Sequence, residues 1–205
     1  MKVKRNGTKI DDNYALNVSQ GNRKLGSIPN LNLPPVVTCI ENAPCAKLCY
    51  ARKAYDVYAQ RVCKPAWDGN LRLWQYSELL YQEALDAWLA KYKPAYFRWH
   101  SSGDIPDRNY WLMMLRVAAK HPKTRFMCFS KRDYTWSDAE SIASNPNLRI
   151  VRSLWFGEPS RDEHHPWFRV LAKDATEEPT CPGSCSICYS CWYLLPGEGR
   201  TVRLH

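Results

Sequence analysis

At 205 residues the chain is long enough for one domain that buries roughly 70% of its unfolded surface around a single core, so disulfide staples are not needed for stability. Its 45% hydrophobic and 24% charged content is globular, and 9 Gly with 14 Pro exclude collagenous and low-complexity chains. The excess of 29 Lys and Arg over 20 Asp and Glu sets a formal charge of +9, and the counts that stand out are nine Cys and nine Trp.

In chain order, residues 1–35 are polar and turn-rich, with Asn6-Gly7, Gly21-Asn22 and Pro34-Pro35, which predicts short strands or an irregular arm. Val36-Val37-Thr38 is β-branched and predicts the end of a strand feeding directly into Cys39. From Asn70 the period becomes helical, with Leu73, Tyr76, Leu80, Ala84 and Trp88 on one stripe, which predicts one amphipathic helix. A strand over 95–100 follows. A second helix from about Asp107 turns Trp111, Met114, Leu115 and Ala118 inward, carries Lys120 and His121 in its last turn and stops at Pro122. Residues 124–130 form the next strand, Ser137 to Glu140 a capping box, and 148–155 the strand after it.

Strands near 95, 124 and 148 with helices between them are βαβ units, which impose parallel pairing and right-handed crossovers. Parallel sheets bind ligands at the carboxyl ends of their strands, which directs attention to 101–106, 130–134 and 155–159. A complete eight-fold barrel needs about 250 residues. The expected fold is therefore α/β, a partial, open parallel β/α barrel over 36–175, closed by a Cys-rich tail over 176–205 with Arg200 to Leu204 as a last strand, all in one compact domain.

No stretch approaches the roughly 18 apolar residues of a membrane span, and no apolar run follows the charges at Lys2, Lys4 and Arg5. The expectation is a cytoplasmic chain without a membrane partner. Thiols stay reduced there, so clustered cysteines read first as metal ligands. Cys181, Cys185, Cys188 and Cys191 are spaced C-x3-C-x2-C-x2-C. Short spacings of this kind let one turn aim several sulfurs at one zinc ion or iron–sulfur cluster. Cys39, Cys45 and Cys49 are spaced C-x5-C-x3-C, and three thiols leave one coordination position open to substrate or cofactor. Cys63, were it a fourth ligand, would close that site. Cys128 falls mid-strand and reads as a core thiol.

The run from Thr38-Cys39 through Cys45 and Cys49-Tyr50-Ala51-Arg52-Lys53, then Asn70, then Phe97 to Asp104, then Phe126 to Lys131, then Cys181-Pro182 to Cys191-Trp192, resembles the phage "gene product 88" domain family. That layout is in turn similar to radical S-adenosylmethionine enzymes, although those typically carry C-x3-C-x2-C. The resemblance implies an enzyme in which Cys39, Cys45 and Cys49 ligate a 4Fe-4S cluster with one unique iron and Tyr50 packs beside it. Ser102, Gly103 and Asp104 would take the place of the stretch that holds the methionyl amine. It also implies an auxiliary cluster at Cys181, Cys185, Cys188 and Cys191, with zinc as the alternative there, and a partner that donates electrons.

The competing expectation is a non-catalytic zinc or iron–sulfur module of a phage or mobile element that binds nucleic acid or protein. The charge of +9 favours nucleic acid, but Arg interleaves with aromatics clearly only over Tyr96 to Trp99, and a four-thiolate cluster subtracts about 2 from the charge. Asp107 reads as a helix N-cap, His100 as a core or rim histidine, and His164-His165 after Asp162-Glu163 as a solvated loop. Lys131 and Arg132 end a strand where they would either meet a carboxylate or phosphate or be ordinary surface charge.

Overall fold

The computed structural model describes residues 3–4, 7–9, 14–158 and 162–204. Nine strands occur there: β1 (Val3–Lys4), β2 (Gly7–Lys9), β3 (Ala15–Ser19), β4 (Asn30–Leu31), β5 (Tyr96–Trp99), β6 (Arg125–Ser130), β7 (Leu148–Leu154), β8 (Trp167–Leu171) and β9 (Gly199–Arg203). They lie side by side in chain order. β3 to β9 make a seven-strand, mostly parallel sheet that is not closed: β3 and β4 are antiparallel, and every neighbour from β4 to β9 is parallel. β1 and β2 extend β3 as a small antiparallel ribbon.

The helices are α1 (Tyr50–Lys53), α2 (Gln60–Tyr76), α3 (Glu78–Tyr92), α4 (Arg108–Lys120), α5 (Asp133–Trp136), α6 (Ala139–Ala143) and α7 (Cys185–Cys188). Strand alternation divides the sheet into two faces. Phe97, Trp99, Phe126, Cys128, Leu148 and Ile150 face α2, α3 and α4, whose Trp74, Trp88 and Trp111 are buried among them as the apolar stripes require. Met127, Val151 and Phe168 face the other way, covered by Leu25, Ile28, Trp192 and Leu194 and by the thiols Cys181, Cys185 and Cys191. No helix among the described residues is long and apolar enough to cross a membrane.

Several expected elements are placed differently. The strand before Cys39 is Asn30–Leu31, and Val36–Thr38 lies in a turn with Val36 at φ +69°. Pro34 and Pro35 lack the N–H a continuing ladder needs. The single helix expected from Asn70 is two. α2 begins ten residues earlier, at Gln60, and Ser77 breaks the run by accepting the Leu80 N–H on its side chain at 3.2 Å, which leaves Tyr76 exposed. Asp138, not Ser137, caps α6, because Ser137 is spent closing α5 through the Asp133 carbonyl. β8 has no counterpart in the sequence reading. Within the Cys-rich tail, residues up to 198 form the crossover from β8, and β9 is the last strand expected over Arg200 to Leu204.

Asn70 joins the helices to the antiparallel edge. Its Oδ1 accepts the Asn17 N–H at 2.7 Å, and its Nδ2 donates to the Asn17 and Asn32 carbonyls at 3.0 and 2.9 Å. Buried backbone groups left without partners cost about 1–3 kcal/mol each. Asn70→Ala is expected to lower unfolding free energy in urea by on the order of 3 kcal/mol, well beyond the loss from removing its packing atoms alone.

Candidate functional site

The carboxyl ends of β4, β5 and β6 meet at one edge of the sheet. The chain leaving β4 is stitched to the turn after β5: Asn32 Oδ1 accepts the Ser101 and Ser102 amides at 2.7 and 3.2 Å. The Leu33 N–H donates to the Ser102 carbonyl at 3.1 Å, and the Ser102 hydroxyl donates to the Leu33 carbonyl at 3.1 Å. Gly103, at φ +77°, brings that turn against Thr38, where a Cβ would sit 2.5 Å from the Thr38 hydroxyl oxygen and 2.9 Å from the Leu33 carbonyl oxygen. Only glycine meets both demands.

Asp104, 5% exposed, is the brace of this edge. Its Oδ1 accepts the Ser130 hydroxyl and the Ile105 amide, each at 2.8 Å, and its Oδ2 accepts the Lys131 amide at 2.9 Å. Burial raises its pKa, and those three donors oppose the rise. The Asp104 N–H donates to the Thr38 hydroxyl oxygen at 3.2 Å. Arg132 completes the assembly: its Nε donates to the Ile105 carbonyl at 3.0 Å, and its Nη2 to the carbonyls of Thr38, Cys39 and Pro106 at 3.1 to 3.3 Å. It is spent on carbonyl oxygens, neither on a carboxylate or phosphate nor as free surface charge. The Lys131 ammonium donates to the Ser153 hydroxyl at 2.6 Å, tying in the end of β7.

Cys39, Cys45 and Cys49 follow in the loop this network holds. Burial pushes the Cys39 thiol up to about 11; the backbone hydrogen bond at Val36 opposes the rise, while Asp104, Cys45 and Cys49 add to it. Burial also raises the Cys45 thiol, and Lys131 opposes it. Asp104 thus acts on both Cys39 and Cys45, and Lys131 on Cys45. Cys63, in α2, is raised by burial alone, with no contribution from another thiol. Tyr50, whose ring is mostly exposed, donates its hydroxyl to the Ser101 carbonyl and so links α1 to the same turn. Val36, Asn42 and His100, all around this edge, hold left-handed backbone that L-residues rarely adopt.

A recess of about 160 Å³ opens beside Cys49 between Lys47, Leu48, Arg52, Lys53 and Leu204. It is smaller than the roughly 300 Å³ of a pocket for a whole small molecule, and of its three cations Arg52 lies 3.6 Å from the Asp56 carboxylate. A larger recess of about 340 Å³, between Trp74, Ser77 and Asp107 at the α2–α3 junction, has no thiol on its wall.

The second thiol group lies on the face of the sheet away from the helices. The Cys181 N–H donates to the Thr201 carbonyl at 2.9 Å and the Cys185 N–H to the Lys24 carbonyl at 2.8 Å. Cys188 Sγ lies 2.9 Å from the Ser190 hydroxyl, and the Trp192 indole N–H donates to the Phe97 carbonyl at 3.3 Å. Left-handed Gly183 and Tyr189 turn the chain between the sulfurs. Burial pushes Cys191 up to about 12 and raises Cys185; Arg98 opposes both, and each feels the other thiols of the group. Among the described residues no three His, Cys, Asp or Glu side chains converge tightly enough to form a metal-holding group. The two thiol groups are thus assembled as neighbours and not drawn onto a common centre.

The remaining expected residues have structural places. His100 is buried between the Tyr110 hydroxyl at 3.1 Å and the Cys128 sulfur at 3.7 Å, and burial with Arg98 pulls its pKa down to about 3, so it is a neutral core histidine. Cys128 is buried, and Asp107 caps α4. Arg98 and Trp99 are buried, so the run whose Arg–aromatic interleaving suggested a nucleic-acid surface is not a surface. Asn32, Thr38, Arg98 and the bracing role of Asp104 are the contributors that sequence reasoning missed.

The fold and site define a mixed α/β protein with a mostly parallel sheet wound in chain order and a thiol-rich loop at the carboxyl edge of its strands. A family model described as Gene product 88 matches residues 1–166, and the chain belongs to that family. No curated protein and no solved structure matches the chain.

Two outcomes test this geometry. Gly103→Ala adds left-handed strain of about 1–2 kcal/mol to overpacking of about 1–3 kcal/mol, and is expected to lower stability in a urea melt by about 2–5 kcal/mol. Asp162, beyond the end of β7, accepts Arg152 Nη1 at 2.6 Å and the His164 and His165 amides at 2.9 and 3.1 Å. Burial raises its pKa, but these partners and the His165 ring outweigh it and hold the carboxyl at about 2 against an ordinary 3.8. A depressed carboxyl stabilises the fold above its unfolded pKa and loses that contribution as pH falls. The melting-temperature gap between the natural chain and Asp162→Asn is expected to be full above pH 3.8 and to close as pH falls towards about 2.

Proposed function

We propose that the chain is an iron–sulfur enzyme of the radical S-adenosylmethionine kind. Cys39, Cys45 and Cys49 would hold a 4Fe-4S cluster with one iron free for the cofactor, and Cys181, Cys185, Cys188 and Cys191 would hold a second cluster. The observation that carries the reading is that Cys39, Cys45 and Cys49 lie in the loop between β4 and α1, pinned at Cys39 by Arg132, while Cys63 lies apart in α2. A thiolate set one short of four leaves a position that a small molecule can fill. Supporting it, six parallel strands run in chain order from β4 to β9, with the thiol loop after the first and the Ser102-Gly103-Asp104 turn after the second.

When bound, a reduced cluster of this kind supplies the electron that cleaves S-adenosylmethionine. The chain's own residues do the rest. Burial at Cys39 and Cys45 disfavours a bare thiolate, so a cation of high charge is the natural partner for the deprotonated sulfurs, and Lys131 lowers the cost of that deprotonation. Arg132 and Thr38 fix the backbone at Cys39, and Tyr50 and the Ser102–Asp104 turn form the shelf beside it. Both oxygens of Asp104 are engaged within the protein, so its part is to hold that shelf in shape while the exposed face of the turn meets the methionyl group. The basic recess at Lys47, Arg52 and Lys53 would take a carboxylate or phosphate of the bound molecules. A reducing cytoplasm, the host's for a phage-encoded chain, would keep the thiols available, and a separate electron donor would complete the cycle.

Anaerobic purification with iron and sulfide analysis is expected to give roughly eight iron per chain, falling to about four in the Cys39→Ser/Cys45→Ser variant. S-adenosylmethionine is expected to perturb the iron spectrum of the natural chain and not of that variant. Zinc at both thiol groups, or a spectrum that S-adenosylmethionine leaves unchanged, overturns the proposal in favour of a non-catalytic module.

A further inference from the structure

Strand alternation turns Arg98, Arg149 and Arg200 into the face covered by the Cys-rich crossover, and of these Arg98 is the buried one. It stands between Phe97 and Trp99, which both face the helices, and is 6% exposed. Its Nε finds no hydrogen-bond acceptor. Its guanidinium stacks on the Phe129 ring at 4.7 Å, and Phe129 packs in the same cluster as Cys181, Cys185 and Cys191. Such a charge is costly to bury without an anion, and a ring quadrupole replaces only part of its lost hydration. A second cation approaches from the opposite side: Lys24 lies 5.5 Å over the Phe168 ring and presents its carbonyl to the Cys185 amide. Four neutral thiols do not balance this charge. Four thiolates around one zinc ion, or around an oxidised 4Fe-4S cluster, carry about −2, a charge opposite to that of Arg98 and Lys24.

We infer that Arg98 is the built-in counter-cation of an anionic four-thiolate metal centre formed by Cys181, Cys185, Cys188 and Cys191, placed in the sheet before the crossover folds over it. The inference rests on that group holding metal, as proposed above, and adds the residue that makes the site favour a doubly anionic occupant. Arg98 touches no substrate; it is a positioning residue that acts through the sulfurs. Outer-shell partners of metal ligands of this sort are worth about 10- to 100-fold in metal affinity.

The test uses the full chain with zinc alone as probe, titrated against a competing chelator. Zinc held by the natural chain but not by Cys185→Ser/Cys191→Ser belongs to the crossover. Arg98→Met keeps the length of the side chain and removes the charge; its affinity for that zinc is expected to fall about 10- to 100-fold, with Arg98→Lys recovering most of the loss. Urea unfolding supplies a readout that packing alone would not move in this way. Arg98→Met is expected to lower the midpoint of the zinc-loaded chain and to raise that of the zinc-free chain, where the unpaired charge is only a cost. If no zinc depends on Cys185 and Cys191, the metal reading of the crossover fails and this inference falls with it. If that zinc is present and Arg98→Met holds it as tightly, or loses stability equally with and without it, the counter-cation role alone is overturned.

Discussion

The arrangement at the strand ends depends on one buried carboxylate. Asp104 sits where β5 gives way to its turn, and a charge taken out of water there is tolerable only because donors reach it from two neighbouring segments. Ser130 and the Lys131 amide come from the end of β6, and the Ile105 amide comes from its own turn. The same residue donates its N–H to Thr38, one position before the first thiol. With Arg132 gathering the Thr38, Cys39, Ile105 and Pro106 carbonyls, a loop with no long element of its own is held by main-chain hydrogen bonds rather than by packing. This explains how Val36, Val37 and Leu48 stay exposed without the loop losing its place.

What the sequence made legible follows from periodicity. The strands near 95, 124 and 148 and the helix from Asp107 were readable because alternation and a 3.6-residue stripe are properties of the chain itself. The break at Ser77 was hidden because the stripe from Leu73 to Trp88 runs through it; a hydroxyl that caps reads the same as one on a helix surface. Asn30–Leu31 was unreadable as a strand because a two-residue element is defined by its neighbours' backbone and not by its side chains. At the site, spacing grouped the thiols, but Ser101-Ser102-Gly103-Asp104 has the composition of any strand-to-helix turn. Only the structure shows Asp104 accepting three internal donors and Gly103 pressed against Thr38. Arg98 is ambiguous in the sequence for a related reason: alternation of Tyr, Phe, Arg and Trp fits an exposed stacking face as well as a strand buried on both sides.

The two thiol groups answer to different physical circumstances. The amino-terminal group lies at the rim, beside an exposed tyrosine and a basic recess, and within residues matched by the family model. The crossover group lies beyond residue 166, between β8 and β9, on the face that the helices leave uncovered. A parallel pair needs a connection of a dozen residues or more, usually a helix that brings an apolar stripe to the sheet. Here a segment with few apolar side chains serves instead, anchored by Trp192 and Leu194, and sulfur occupies much of the remaining contact with the sheet.

That substitution bears on how the formal charge of +9 is read. Counted over the sequence, the excess of Lys and Arg resembles an electrostatic footprint for polyanions. In the fold, Arg98 is buried against a ring, Arg132 is consumed by carbonyl oxygens, Arg152 is bound to Asp162 and Lys131 to Ser153. Cations engaged in this way contribute little to a surface field, because their positions are set by internal acceptors and their hydration is already lost. Beside Cys49, Lys47, Arg52 and Lys53 line the basic recess, and there too one cation is engaged, Arg52 lying 3.6 Å from the Asp56 carboxylate.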